Sequence, residues 1–229
     1  MPGAQQIPRP PDAMPGVPAA WEGLPAAERK LISLARVVDA VRGHTPTTPE
    51  PVVPAEVASI RPAAVLIPLF EEDGEVRVVL TRRSSNLRSH TGEVAFPGGR
   101  IDAGEVPLAA ALREANEEVG IEPASVTIVG QLNRLTTVGR PALVTPFVGA
   151  LTGRPVLRPN PAEVELAFDV ALADLAADGV HTEEVWTSPT RPRHHVHFFD
   201  LPHDIVWGAT ARLLYDLLML VIGPGLQPG

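Results

Sequence analysis

"LREANEEVG", residues 112–120, places Arg113, Glu114, Glu117 and Glu118 within six positions, and the stretch just before it, "PLAAALRE", carries no charge until Arg113. On a helix, positions three and four apart are neighbours, so the three glutamates share one face and repel by a few tenths of a kcal/mol per pair. Two of them also stand near the C-terminal end, where the helix dipole disfavours anions. Either water screens the cluster on an open surface, or a cation sits on it. Pro107 suits a first helical turn and Gly120 a helix end, so residues 98–121 read as loop, helix, loop. Arg113 points away from the glutamate face and can pair with Glu105 in the loop. The preceding "FPGGRIDAGE" is rich in glycine, and Gly98 and Gly99 allow backbone to approach a ligand closely. A solvated acidic face is the alternative. The glycine loop and the placement of each charge favour the cation, and clustered carboxylates are hard ligands suited to Mg²⁺ or Mn²⁺. One local choice is poor: Val106 stands at the N-cap, where Ser, Thr, Asp or Asn would be better by about 1 kcal/mol.

The pattern of Gly99, five residues, Glu105, seven residues and "REANEEVGI" resembles the Nudix box of the Nudix hydrolases. Gly99, Glu105, Arg113, Glu114, Ala115, Glu117, Glu118, Gly120 and Ile121 all match, and so long a spaced pattern is specific. The resemblance implies an α/β/α sandwich with a mixed sheet and hydrolysis of a nucleoside diphosphate linked to another group. It also implies that Glu114, Glu117 and Glu118 bind catalytic Mg²⁺ or Mn²⁺, while Glu105, Arg113 and Gly120 hold the box together. Metal-assisted attack of water on a phosphorus centre suits those residue types.

Upstream, "VLTRRSSNLRSHTGEVAFPGG" gathers Arg82, Arg83, Arg88 and His90 into nine residues, with Arg100 following the glycines. They could line the path of a polyanion, or protect an exposed strand edge with charge. The segment also resembles the signature of the coenzyme A pyrophosphatase branch of the family: Leu80, Thr81, Arg83, Ser84, Arg88, Gly92, Phe96, Pro97, Gly98 and Gly99 match, and Val79 replaces a leucine. "RPAAVLIPL", "TTVGRPALVTPFVG" and "VWGATARLL" are similar to further segments of that branch, so the resemblance covers roughly residues 60–220. It implies coenzyme A or acyl-coenzyme A as substrate, with 3′,5′-ADP and (acyl-)4′-phosphopantetheine as products. Arg83, Arg88, Gly98 and Gly99 are then the substrate-binding candidates. Another Nudix substrate (ADP-ribose, a dinucleotide or a nucleoside triphosphate) is the alternative, and a nucleotide-binding domain without turnover is a third.

Besides Glu117 and Glu118, catalysis needs a general base, and "NPAEVELAFDV" offers Glu163 and Glu165. Glu163 is preferred from the resemblance; an ordinary acid at a helix start is the competing account. His194, His195 and His197 lie in an apparent strand and lack a third ligand of matching geometry, so they are not taken as a metal site. Trp207 is assigned to the core, and Leu213, Leu214, Leu217 and Leu218 to a buried helix face.

A net charge of -8 argues against general nucleic-acid binding, and the absence of cysteine excludes disulfides and thiolate chemistry. "MPGAQQIPRPPDAMPG" has no basic-then-apolar leader, and "LLYDLLMLVIG" is too short to span a bilayer, so a cytoplasmic protein with no membrane partner is expected. A homodimer is allowed. Residues 1–20 read as a disordered proline-rich tail, 21–56 as an amphipathic helix and proline-rich linker, 57–222 as the hydrolase domain and 223–229 as a flexible tail. Leu31, Leu34, Val38 and Val41 define the helical stripe, between Pro25 and Gly43. Strands are predicted at "AAVLIPLF", "VRVVLTRR", 126–132, 142–151 and 194–201, with helices at 107–119, around 170–176 and at 208–221.

Overall fold

The computed structural model describes residues 5, 7–48, 60–85, 92–137, 142–188 and 191–223. Its elements run β1 (Met14–Pro15), a 3₁₀ turn (Ala20–Gly23), α1 (Ala26–Arg29), α2 (Leu34–Gly43), β2 (Arg61–Glu72), β3 (Glu75–Arg83), β4 (Val94–Ala95), β5 (Gly98–Arg100) and α3 (Pro107–Val119). After a second 3₁₀ turn come β6 (Val126–Gln131), β7 (Leu135–Thr136), β8 (Ala142–Leu151), β9 (Val164–Ala171), α4 (Leu172–Leu175), β10 (His181–Ser188), β11 (Arg191–Asp200), β12 (Ile205–Trp207) and α5 (Gly208–Ile222).

The apolar run in β2 is continuous because both of its faces are covered. Asp73 and Gly74 both have positive φ and close a two-residue hairpin into β3, the backbone that right-twisted strands require. On its other side β2 pairs in parallel with β8, while β5 and β9 add antiparallel strands to β2 and β3. The sheet is therefore mixed. Ala64, Leu66, Phe70 and Val79 face α3, whose Ala110, Ala111, Ala115 and Val119 let the helix lie close. Ile67, Leu69, Val78 and Leu80 face α2 and α5 through Val37, Val41, Leu213, Leu214, Leu217 and Leu218. Helices on both faces of a mixed sheet give the expected α/β/α sandwich. Among the described residues no helix is long and apolar enough to cross a membrane.

A second, antiparallel sheet in the order β1-β10-β11-β12 was only partly foreseen. Its face toward α5 carries His181, His197 and Phe199, with Tyr215 stacked on His197 at 4.1 Å between ring centroids. His195 Nδ1 lies 2.8 Å from Glu183 Oε1, and among the described residues these histidines do not converge on a metal-binding point. On the opposite face Trp186, Val196, Phe198 and Trp207 pack beneath Ile7 and Ala13.

Residues 7–20 thus differ from the disordered tail expected of them. β1 pairs with β10, Arg9 grips Glu184 at two points (2.9 Å each), and Thr187 bonds Asp12. The outward apolar face of the second sheet gives this proline-rich strand something to cover. The single helix expected between Pro25 and Gly43 is broken instead. Ser33 caps α2 by accepting the Arg36 N–H (3.2 Å), Leu31 is exposed, and Val37 and Val41 form the buried stripe. The linker from 49 onward and all but the first residue of the 223–229 tail lie outside the described residues.

Candidate active site

The site begins with two glycines. β5 lies antiparallel to β2, with Gly98 opposite Val65 and Gly99 opposite Ala64. A Cβ on Gly98 would stand 2.5 Å from the Ala64 carbonyl oxygen, and one on Gly99 2.5 Å from the Glu114 carboxyl carbon. At Gly98 the obstacle is backbone and only glycine fits, whereas a side chain at Gly99 would displace the Glu114 carboxylate. The Gly98 N–H then donates to Glu118 Oε2 at 3.0 Å.

α3 spans the residues predicted for it and ends on Gly120 in the left-handed conformation (φ 73°). Val106 at its N-cap is exposed and its side chain accepts no hydrogen bond. Arg113 binds Glu105 through Nε–Oε1 (2.9 Å) and Nη2–Oε2 (3.1 Å), as expected. It does not point away from the glutamates, however: Nη1 reaches Glu114 Oε1 at 2.9 Å and Glu117 Oε2 at 3.0 Å. Nη2 also donates to the Arg100 carbonyl (3.2 Å), and Glu105 accepts the Asp102 N–H (3.0 Å), so one guanidinium ties loop to helix. The paired guanidinium and the Asp102 N–H hold the Glu105 carboxyl below its usual pKa.

Glu163 arrives by a separate route. The Arg158 and Asn160 N–H groups cap the Val119 and Glu118 carbonyls at the end of α3 (2.8 Å each). Asn160 then accepts the Glu163 N–H (3.0 Å), and the Glu163 carbonyl accepts the Ser84 N–H (2.8 Å) at the end of β3. This turn sets Glu163 beside the helix, and carboxylate oxygens of Glu114, Glu118 and Glu163 all lie within 4.8 Å of one another. Glu117, expected in the same group, stands outside it: its side chain is 57% exposed and is held by Arg113. Glu165 is turned away and pairs with Arg82 (3.4 Å).

Glu118 is buried, and burial pushes its carboxyl up to about 7, against the lowering effects of the Gly98 N–H and Arg83. Burial also raises Glu114, against the lowering effect of Arg113. Three carboxylates converge, and burial disfavours the charge of Glu114 and Glu118, the condition a cation relieves. Arg83 Nη1 approaches Glu118 Oε1 at 3.8 Å, and its buried Nε has no hydrogen-bond partner among the described residues. Arg82 differs from the expectation of a phosphate path, because Asp204 holds it from the opposite face of β3. Arg88 and His90 lie outside the described residues. Glu163 and Glu165 are too close in sequence for spacing to choose between them. What separates them is a break in the β9 register between Leu166 and Val164, and the apolar alternation through Leu166, Phe168 and Val170 gives no sign of it.

A family model of the NUDIX domain matches residues 60–200. The chain belongs to the Nudix family. It is 42% identical over 163 residues to an uncharacterized Nudix hydrolase, NudL, of Photorhabdus laumondii, covering 70% of this chain and 85% of that one. It is 40% identical to the chloroplastic Nudix hydrolase 22 of Arabidopsis thaliana over 66% of this chain and 52% of the relative. A MutT/nudix family protein of Enterococcus faecalis shares the fold, with a TM-score of 0.52 at 14% identity over 83% of this chain and 70% of that one. This Nudix protein is thus a hydrolase acting on a nucleoside diphosphate derivative. Its glutamates fit the divalent metal such hydrolases use: the donors are hard carboxylate oxygens, they converge, and burial opposes the charge of Glu114 and Glu118.

Proposed function

We propose that this Nudix hydrolase is a divalent-metal-dependent coenzyme A pyrophosphatase, yielding 3′,5′-ADP and 4′-phosphopantetheine or its acylated form. The observation that carries this reading is the arginine–glycine signature, Leu80 to Gly99, whose described part adjoins the carboxylates. Arg83 and the Gly98 N–H both approach Glu118. Mg²⁺ or Mn²⁺ bound there would neutralise phosphate charge and acidify the attacking water.

The chain's own residues then divide the work. Glu114, Glu118 and Glu163 offer the converging oxygens, with Glu117 at the rim and Glu105 and Arg113 bracing the loop. Glu163 comes from outside the box helix and accepts the water's proton as water oxygen bonds to phosphorus and the bridging P–O bond breaks. Arg83 and Arg88 hold substrate phosphates, and Gly98 and Gly99 keep the loop narrow enough for them. The protein works in the cytoplasm, with a small-molecule substrate and neither nucleic acid nor membrane as partner.

The test is a panel of coenzyme A, acetyl-coenzyme A, ADP-ribose, a dinucleoside polyphosphate and ATP, each with Mg²⁺ or Mn²⁺ and products identified by mass. We expect the highest kcat/KM with coenzyme A or its acyl form; preference for another compound would overturn the substrate and leave the Nudix chemistry standing. Arg88→Ala should lose more activity toward coenzyme A than toward its 3′-dephospho form, and equal losses would remove a 3′-phosphate contact.

A further inference from the structure

Arg82 sits beside the site without entering it. Side chains on β3 alternate, so Arg83 faces Glu118 and α3 while Arg82 faces the second sheet. There Asp204, in the turn between β11 and β12, receives both ends of its guanidinium fork: Nε–Oδ1 is 2.7 Å and Nη2–Oδ2 is 2.6 Å. Nη1 reaches Glu165 Oε1 at 3.4 Å. Both main partners are nearly buried, at 11% and 10% side-chain exposure. A buried ion pair adds little net stability over an apolar pair of the same volume, but it can fix one arrangement.

What it fixes is visible in the strand register. β3 and β9 pair regularly from Arg77↔Ala171 to Arg82↔Leu166, and then Arg83 faces Val164, leaving Glu165 as one extra residue. Such a bulge re-aims the side chains beyond it. In unbroken register Glu165 would stand opposite Arg83 on the α3 face. With the bulge, buried Val164 takes that place, Glu165 turns to Arg82, and the turn just before β9 delivers Glu163 to Glu114 and Glu118. The bulge thus selects which of two nearby carboxylates joins the cluster.

We propose that Arg82, held by Asp204, is a positioning residue: it pins the β9 bulge through Glu165 and thereby places Glu163 in the metal-binding cluster. This rests on the assignment of Glu163 to that cluster made above. The test is Mn²⁺ affinity by electron paramagnetic resonance on the full chain without substrate. The variants are Arg82→Met, Arg82→Met with Asp204→Leu (which removes both buried charges and guards against misfolding), Glu163→Gln, and these changes combined. Loss of Arg82 should weaken Mn²⁺ binding about tenfold, the range seen when residues supporting a metal ligand are removed. Adding it to Glu163→Gln should weaken binding less than twofold further. Wild-type affinity in the folded Arg82→Met/Asp204→Leu protein, or an equal additional loss in the Glu163→Gln background, would overturn the proposal. Failure of the underlying assignment looks different: Glu163→Gln alone would then bind Mn²⁺ like the wild type.

Discussion

Glu118 is a carboxylate in a place that burial makes costly, and the neighbouring Gly98 N–H and Arg83 offset only part of that cost. A site built in this way is ready for a cation and for a reaction in which charge must be neutralised. At the same scale, Glu163→Gln should lower kcat about 10²- to 10⁴-fold, the usual contribution of a positioned proton acceptor, with little change in KM. A steady-state comparison decides it, and an unchanged kcat would remove Glu163 from proton transfer. The box itself was legible because each of its positions answers a local need: Arg113 for Glu105, Gly99 for the Glu114 carboxylate, Gly120 for the helix end. Which glutamates converge was not legible. Glu117 and Glu118 are equivalent by helical spacing, yet one is gripped by Arg113 at the rim and the other is buried under Gly98. The difference arises from a loop folding over the helix, which periodicity does not encode.

At the scale of the element, α3 carries its chemistry in spite of a poor start. Val106 is exposed at the N-cap and has no side-chain oxygen to accept a first-turn N–H. Val106→Ser should raise stability by about 1 kcal/mol, read as a shift of the denaturation midpoint, without changing the rate of turnover. An unchanged midpoint would show that the first turn is held by other contacts. α3 and β8 were recognisable to the residue, since amphipathic and doubly buried patterns are strong over ten residues or more. The helix expected across residues 25–43 failed because Ser33 opens a new helix by bonding Arg36. That local bond outweighs the apolar spacing of Leu31 with Leu34. β10 gave little warning: "HTEEVWTS" mixes charge and apolar residues, since its two sides meet a histidine layer and an N-terminal strand.

At the scale of the whole molecule, two sheets share α5, and the layer between them is where acid should act. His181 and His197 touch through Nε2 and Nδ1 at 3.1 Å, enclosed by Trp21, Phe199 and Tyr215, with Glu22 and Glu183 at the edges. Burial lowers both histidines, His197 to about 3, with the charge of His181 and Arg212 adding to the effect. A histidine held neutral in the fold takes up a proton only on unfolding. Its stabilising share is therefore full above about pH 6.5 and is lost as pH falls toward the folded value, by up to about 1.4 kcal/mol per pH unit for each group. The melting temperature should fall between pH 7 and pH 5, and less steeply in His197→Gln; parallel profiles would place the acid sensitivity elsewhere. The sandwich could be foreseen because strands and helices interleave along the chain, whereas the attachment of residues 7–20 to the second sheet is a long-range pairing that only the folded molecule shows. The most direct measurement on the whole protein is ³¹P NMR of coenzyme A with Mg²⁺, using wild type, Glu118→Gln and a metal-chelated control. We expect the pyrophosphate resonances to give way to phosphomonoesters of 3′,5′-ADP and 4′-phosphopantetheine in the wild type alone. Equal turnover by Glu118→Gln or by the chelated enzyme would contradict the carboxylate cluster as the metal-dependent centre.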